Sequence, residues 1–141
     1  MGQNLGNRIV TAIVRSPLHP ILGPDFALIE FTGRRSGRTY TTPINAFAEG
    51  DGYLVISRAD RIWWRNLRDG ASAMLRHKGV EQSVKAEVID SPGEVEHQLK
   101  RHLAARPAHA RYFGLATDAS GQLDPARLAQ ASRGRVFIRL S

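Results

Sequence analysis

Hydrophobic and polar positions along this chain fall into short blocks, each bounded by glycine, proline or a charge cluster. Asn4 to Arg15 places Leu5, Ile9, Ala12 and Ile13 on one helical face, with Arg8 and Arg15 off it, which is the spacing of a short amphipathic helix. That helix is expected to pack on the domain as a lid rather than to lie in a membrane interface. Pro17, Pro20 and Pro24 then form a connector that cannot continue a helix. Phe26 to Thr32 is an aliphatic and aromatic run that reads as a strand and ends at Gly33-Arg34-Arg35-Ser36-Gly37. A second strand is expected from Arg38 to Ala48, with Pro43 at an edge or a bulge because it cannot donate to a ladder. Glu49 to Gly52 is a hairpin turn, and Tyr53 to Ser57 a third strand.

Further along, Arg61 to Asp69 reads as a short helix closed by Gly70. Ala71 to Arg76 and Val80 to Asp90 pair across the turn His77-Lys78-Gly79. Ser91-Pro92-Gly93-Glu94 has the form of a capping box with proline at the first helical position, and the helix it opens runs to about Arg106-Pro107. Asp124-Pro125 opens another helix that stops at Gly134, and Arg135 to Leu140 ends the chain as a strand. Five or six strands in hairpins, interrupted by helices, point to a mainly β, α+β fold built as a small closed or split antiparallel barrel. A chain of 141 residues suits one domain. Its expected parts are a helix and connector over 1–24, a barrel core over 25–90, and helices with the final strand over 91–141.

Composition removes several chemistries. There are no cysteines, which excludes disulfides, iron–sulfur clusters, thiolate zinc sites and cysteine nucleophiles. No apolar run approaches the roughly 20 residues of a spanning helix, so a cytoplasmic protein is expected, at most peripheral at the inner membrane. The net charge is +7, and 17 of the 20 basic residues are arginine, whose planar fork suits phosphate and carboxylate. An anionic partner and a compositional bias both fit that count. Gly33 to Thr39 misses the spacing and the lysine of a nucleotide-triphosphate loop, and Gly50-Asp51-Gly52 lacks the third glycine of a dinucleotide fingerprint. His97 and His102 are five apart on one helix, read as two solvated histidines and not as a metal pair, so no metal is expected.

Two basic clusters remain. Gly33-Arg34-Arg35-Ser36-Gly37-Arg38 sits between strands, where two glycines let backbone N–H groups converge on an oxyanion while arginines and a serine add charge and donors. The second, Ser57-Arg58 followed by Trp63-Trp64-Arg65-Asn66-Leu67-Arg68, carries both tryptophans, one of which core packing explains without help. Together the clusters suit a flat heteroaromatic ligand with an anionic tail, the indoles walling its ring and the arginines gripping its phosphate.

Thr32-Gly33-Arg34-Arg35-Ser36-Gly37 followed by Pro43, Ser57-Arg58 at a strand end, and Trp63 with Asn66-Leu67 together resemble the deazaflavin-dependent nitroreductase and quinone-reductase family of actinobacteria. That family is related to the flavin-binding split β-barrel reductases. The resemblance implies a six-stranded antiparallel split β-barrel with peripheral helices, binding coenzyme F420, a 5-deazaflavin with a phosphate and an oligoglutamate tail. It implies hydride transfer from that cofactor to a small-molecule electron acceptor such as a quinone, a nitroaromatic or an enone. Arg34, Arg35, Ser36 and Gly37 match the phosphate loop, and Arg38 stands in for an arginine that the family often has where this chain has Tyr40. Pro43 and Ile44 match the backbone bordering the ring, Ser57 and Arg58 a second contact, and Trp63 and Asn66 the closing helix, with Asn66 either a ligand contact or a tether. Asn45 replaces a tyrosine found beside the substrate in the known nitroreductases, and Tyr112 is the counterpart of their acceptor-site tyrosines. Tyr112, Ser57 and Asn45 are therefore the polar groups expected near the acceptor. Other occupants of the same barrel are FMN, FAD, haem or a fatty acid. A nucleic-acid partner is not expected, because the arginines cluster beside two turns instead of covering one face. Pairing with a second copy, as related barrels often do, stays open.

Overall fold

The computed structural model describes residues 25–116, 118–120 and 122–141. The amphipathic helix and proline connector expected before residue 25 lie outside the described residues. Six antiparallel strands close a barrel in the order β1-β2-β3-β6-β5-β4: β1 is Phe26–Thr32, β2 Thr39–Glu49, β3 Gly52–Arg58, β4 Ser72–His77, β5 Val80–Ile89 and β6 Arg135–Leu140. The chain divides into two compact units. The first takes the described residues up to Ile56, then Ile62–Val88 and Ile138–Ser141; the second takes Ser57–Arg61 and Ile89–Phe137.

In the first unit, the apolar runs that read as strands fill the core with Ile29, Phe31, Leu54, Val55, Leu75, Ile138 and Leu140. β1 pairs with β2 from Phe26↔Asn45 to Thr32↔Thr39 and with β4 on its other edge. The register of β2 with β3 is short, from Ala46↔Val55 to Glu49↔Gly52. Pro43, opposite Leu28, lies on the stretch that pairs with β1 alone among the described strands, which satisfies the requirement for an edge position. At the start of β3, a Cβ on Gly52 would stand 2.1 Å from the Leu140 carbonyl oxygen, so no larger residue fits. Lys78 and Gly79, at φ 50° and 80°, form the two-residue turn between β4 and β5; both values are positive, as a primed hairpin turn demands.

The expected helix over Arg61–Asp69 contracts to a 3-10 helix, Trp63–Leu67. Its terminator comes a residue early: Asp69 already takes φ 63°, ahead of Gly70 at 71°.

In the second unit, α1 (Pro92–Ala105) buries Val95, Leu99 and Leu103 at helical spacing. Its expected capping box does not form, because the Ser91 side chain makes no cap hydrogen bond; Pro92 and the Ser91 carbonyl, which accepts from Val95 N–H at 2.9 Å, start the helix instead. A 3-10 helix at Pro107–Phe113, unexpected from the sequence, follows the proline that reads as a stop. α2 (Pro125–Ser132) is capped by Asp124, whose Oδ1 accepts from Ala126 N–H at 3.0 Å. His97 is exposed as expected, but His102 is buried, with Nε2 3.0 Å from His109 Nδ1, which corrects the reading of two solvated histidines. None of the described helices is long and apolar enough to cross a membrane.

Candidate functional site

After the last β1–β2 pair, Thr32↔Thr39, the chain turns through the basic corner. Gly33 N–H donates to the Arg38 carbonyl at 2.8 Å, Gly37 N–H to the Gly33 carbonyl at 2.9 Å, and Arg38 N–H to Ser36 Oγ at 3.2 Å. A Cβ on Gly33 would sit 2.7 Å from Tyr40 Cε2 and 2.8 Å from Ser36 Oγ, so only glycine closes the corner. Ser36 Oγ and Tyr40 Oη share a hydrogen bond of 3.0 Å. Of the two hydroxyl hydrogens, one makes that bond and the other remains for an outside acceptor.

A second set of bonds ties the corner to the 3-10 helix. Arg34 N–H donates to Asn66 Oδ1 at 2.9 Å, and Asn66 Nδ2 donates to the Trp63 carbonyl at 3.1 Å. The Arg34 guanidinium pairs with Asp69 at 2.5 Å. Both partners are largely in solvent, so this pair contributes about 0–1 kcal/mol and mainly fixes where Arg34 points. Asn66 thus ties the corner to the 3-10 helix.

These bonds narrow one expectation. The amides of Gly33, Arg34, Gly37 and Arg38 are engaged within the corner or by Asn66, so of the corner's amides those of Arg35 and Ser36 are the ones left to face an anion, beside the side chains. Arg34 faces Asp69, whereas Arg35 and Arg38 are exposed and neither is engaged by a carboxylate among the described residues. At the corner end of the β1–β2 ladder an aromatic row begins: Phe31 lies 6.0 Å from Tyr40 and 6.1 Å from Trp63 between ring centroids. The two indoles differ in burial. Trp63 is half-buried, but Trp64 is in the core with Arg65 and Arg68 over its ring at 5.6 and 4.9 Å, and its Nε1 has no hydrogen-bond partner among the described residues.

On β2, strand alternation exposes Pro43 and Asn45 and buries Ile44, so Ile44 can offer a ligand only its backbone. Ser57, Arg58 and Tyr112 belong to the second unit. Ser57 is nearly buried and its Oγ donates to the Arg58 carbonyl at 3.2 Å; Arg58 pairs with Asp60 at 2.5 Å. Tyr112 is exposed, with the Arg111 guanidinium 5.2 Å over its ring and His109 edge-on at 5.4 Å. Two participants escaped the sequence reading. Asp69 joins Arg34 across 35 residues of chain, and nothing local announces such a contact. Arg135 stacks on Phe113 at 4.6 Å, and burial, then the Arg58 charge, lowers its pKa.

The profile of the F420H(2)-dependent quinone reductase family matches residues 8–121. The chain belongs to this family. Its members are oxidoreductases, and coenzyme F420 is the cofactor they use. Among solved structures, an F420-H2 dependent reductase, FDR-A, superposes with a TM-score of 0.50 at 18% identity, covering 82% of this chain and 93% of that one. An FMN-binding protein related to pyridoxamine 5'-phosphate oxidase, from Nostoc punctiforme, superposes at 0.52 with 8% identity, covering 99% and 81%. At such identities the likeness is one of fold, the split barrel. A search among curated proteins finds no match.

The corner of this F420H(2)-dependent quinone reductase relative fits its family's cofactor. Arg35, Arg38 and the spare hydroxyl hydrogen of the Ser36–Tyr40 pair are donors suited to a phosphate, and half-buried Trp63 offers an apolar face for a ring.

Proposed function

We propose that this reductase passes a hydride from F420H2 to a small organic acceptor of the quinone, nitroaromatic or enone type. The observation that supports the reading is the braced corner, tied through Asn66 to the 3-10 helix of Trp63 and carrying exposed Arg35 and Arg38, neither engaged by a carboxylate among the described residues. When bound, the reduced deazaflavin supplies a hydride at C5, and the acceptor takes up that hydride together with a proton. The chain's own work is to bind, orient and exclude water. Arg35 and Arg38 hold the anionic part of the cofactor, with Ser36 adding a hydroxyl donor. Arg58 makes a second contact, while Trp63 and the backbone at Pro43 and Ile44 border the ring.

Three side chains divide the acceptor's polar contacts. Tyr112 holds an exchangeable phenolic proton in an exposed position, Asn45 can orient a carbonyl or nitro oxygen through its amide, and Ser57 Oγ, donating inward to the Arg58 carbonyl, steadies the strand end. The partner in this reading is a small molecule and not a nucleic acid.

The test is direct. Purified protein is mixed with F420H2 and, separately, with a quinone, a nitroimidazole and a cyclic enone, while the return of oxidised deazaflavin absorbance is followed. Turnover with at least one acceptor is expected, as is quenching of F420 fluorescence on binding. FMN provides the comparison, because a structural neighbour with this fold binds it. Tighter binding of FMN than of F420, or no turnover with any acceptor, would overturn the proposal.

A further inference from the structure

Arg58 is the last residue of β3 and Arg135 the first of β6, and Ala59 N–H, donating to the Gly134 carbonyl at 2.7 Å, holds the two strand ends together. The Arg135 guanidinium is fixed on two sides. Its face lies 4.6 Å over the Phe113 ring, and its Nε donates to the Ala131 carbonyl at 3.1 Å. That leaves the two Nη groups as a preset fork with no carboxylate on them among the described residues. Arg58 has Asp60, but side-chain exposures of 68% and 64% make that a weak, solvent-screened pair.

Two cations are thus set against one carboxylate, Arg135 partly buried and Arg58 largely in solvent. Partial burial, then the neighbouring Arg58 charge, lowers the pKa of Arg135, so a negative charge placed there would favour its charged form. Stacking and the Nε bond add to this by removing most of the rotamer freedom that an arginine otherwise loses on gripping a ligand. We propose that Arg135 and Arg58 form an oxyanion-binding pair, taking a phosphate or carboxylate group on the Arg135 fork with Arg58 closing from the side.

The pair does not depend on the basic corner at residues 33–38, and its test is arranged to keep the two apart. In the double variant Arg35→Ala/Arg38→Ala, the arginine Nε–Hε resonances are followed by NMR during titration with inorganic phosphate, with sodium chloride at matched ionic strength as the control. A saturable shift of the Arg135 and Arg58 signals is expected. Adding Arg135→Gln is expected to weaken the Arg58 response by about tenfold, the loss of a charge-assisted contact. Arg135→Lys, which keeps the charge but not the fork, is expected to fall between. Protein with the native corner and F420 added separates the sources. Loss of the phosphate response at Arg135 makes the cofactor's anionic group the occupant, and an unchanged response makes it a separate anion. A shift at Arg135 that follows ionic strength alone, or a phosphate response that survives Arg135→Gln undiminished, would overturn the pair.

Discussion

Asn66→Ala separates the two roles open to that residue. The substitution removes the acceptor of Arg34 N–H and the donor to the Trp63 carbonyl, bonds of 2.9 and 3.1 Å. Each is worth about 0.5–1.5 kcal/mol net, and the exposed Arg34 amide regains water, so a loss of about 1–2 kcal/mol is expected. For a chain of this length that lowers Tm by roughly 3–8 °C. Because the corner must then be ordered by the ligand, F420 affinity should fall by about tenfold as well. Asn66→Asp keeps an acceptor for Arg34 N–H, so it should recover part of the stability; its added charge beside the arginines should keep F420 binding weak. Urea unfolding of the cofactor-free protein and fluorescence titration with F420 measure the two effects separately. If Asn66→Ala leaves the free protein as stable as the native chain while F420 binding weakens, Asn66 is a ligand contact and the tether reasoning fails.

Other perturbations test neighbouring parts of the same structure. Arg35→Ala should raise the F420 dissociation constant about tenfold, and Arg34→Ala should raise it less because that guanidinium already faces Asp69; titration at fixed salt ranks them. Gly33→Ala should cost about 1–3 kcal/mol through overlap with Tyr40 and Ser36, read as a lowered urea midpoint. Trp64→Ala should cost about 3–5 kcal/mol, whereas Trp64→Phe should cost far less because it removes the unpartnered buried N–H along with part of the ring. Equal losses for the two Trp64 variants would show that the indole N–H carries no penalty.

The strands were legible because each is punctuated by residues with one clear backbone preference. Gly33, Gly50, Gly79 and Gly134 mark the turns, and all of β1 to β6 begin and end within about two residues of where pattern alone places them. What failed was physics that local pattern does not carry. Pro107 stops α1, yet it also opens a 3-10 helix, since a proline suits a first helical position as well as a boundary. Ser91 has the right residue type for a cap, but whether its side chain makes the bond depends on its rotamer. His102 is buried through contact with His109, seven residues on and in another element. At the site, the arginines were visible as charge, but their division into engaged and unengaged was not. That division depends on Asp69 and Asn66, which reach the corner only after the barrel forms.

Proline at position 43 has a bearing on solubility too. Among the described strands, β2 pairs on one side only for much of its length, and such a flank is a template on which a stray chain can zip and seed aggregation. By lacking an N–H midway along that flank, Pro43 breaks the row of donors a docking strand would need. Replacing it with valine, the residue a strand otherwise favours, would restore a backbone donor at that point of the flank and should show up as faster clumping on storage, even if the folded barrel itself gained stability.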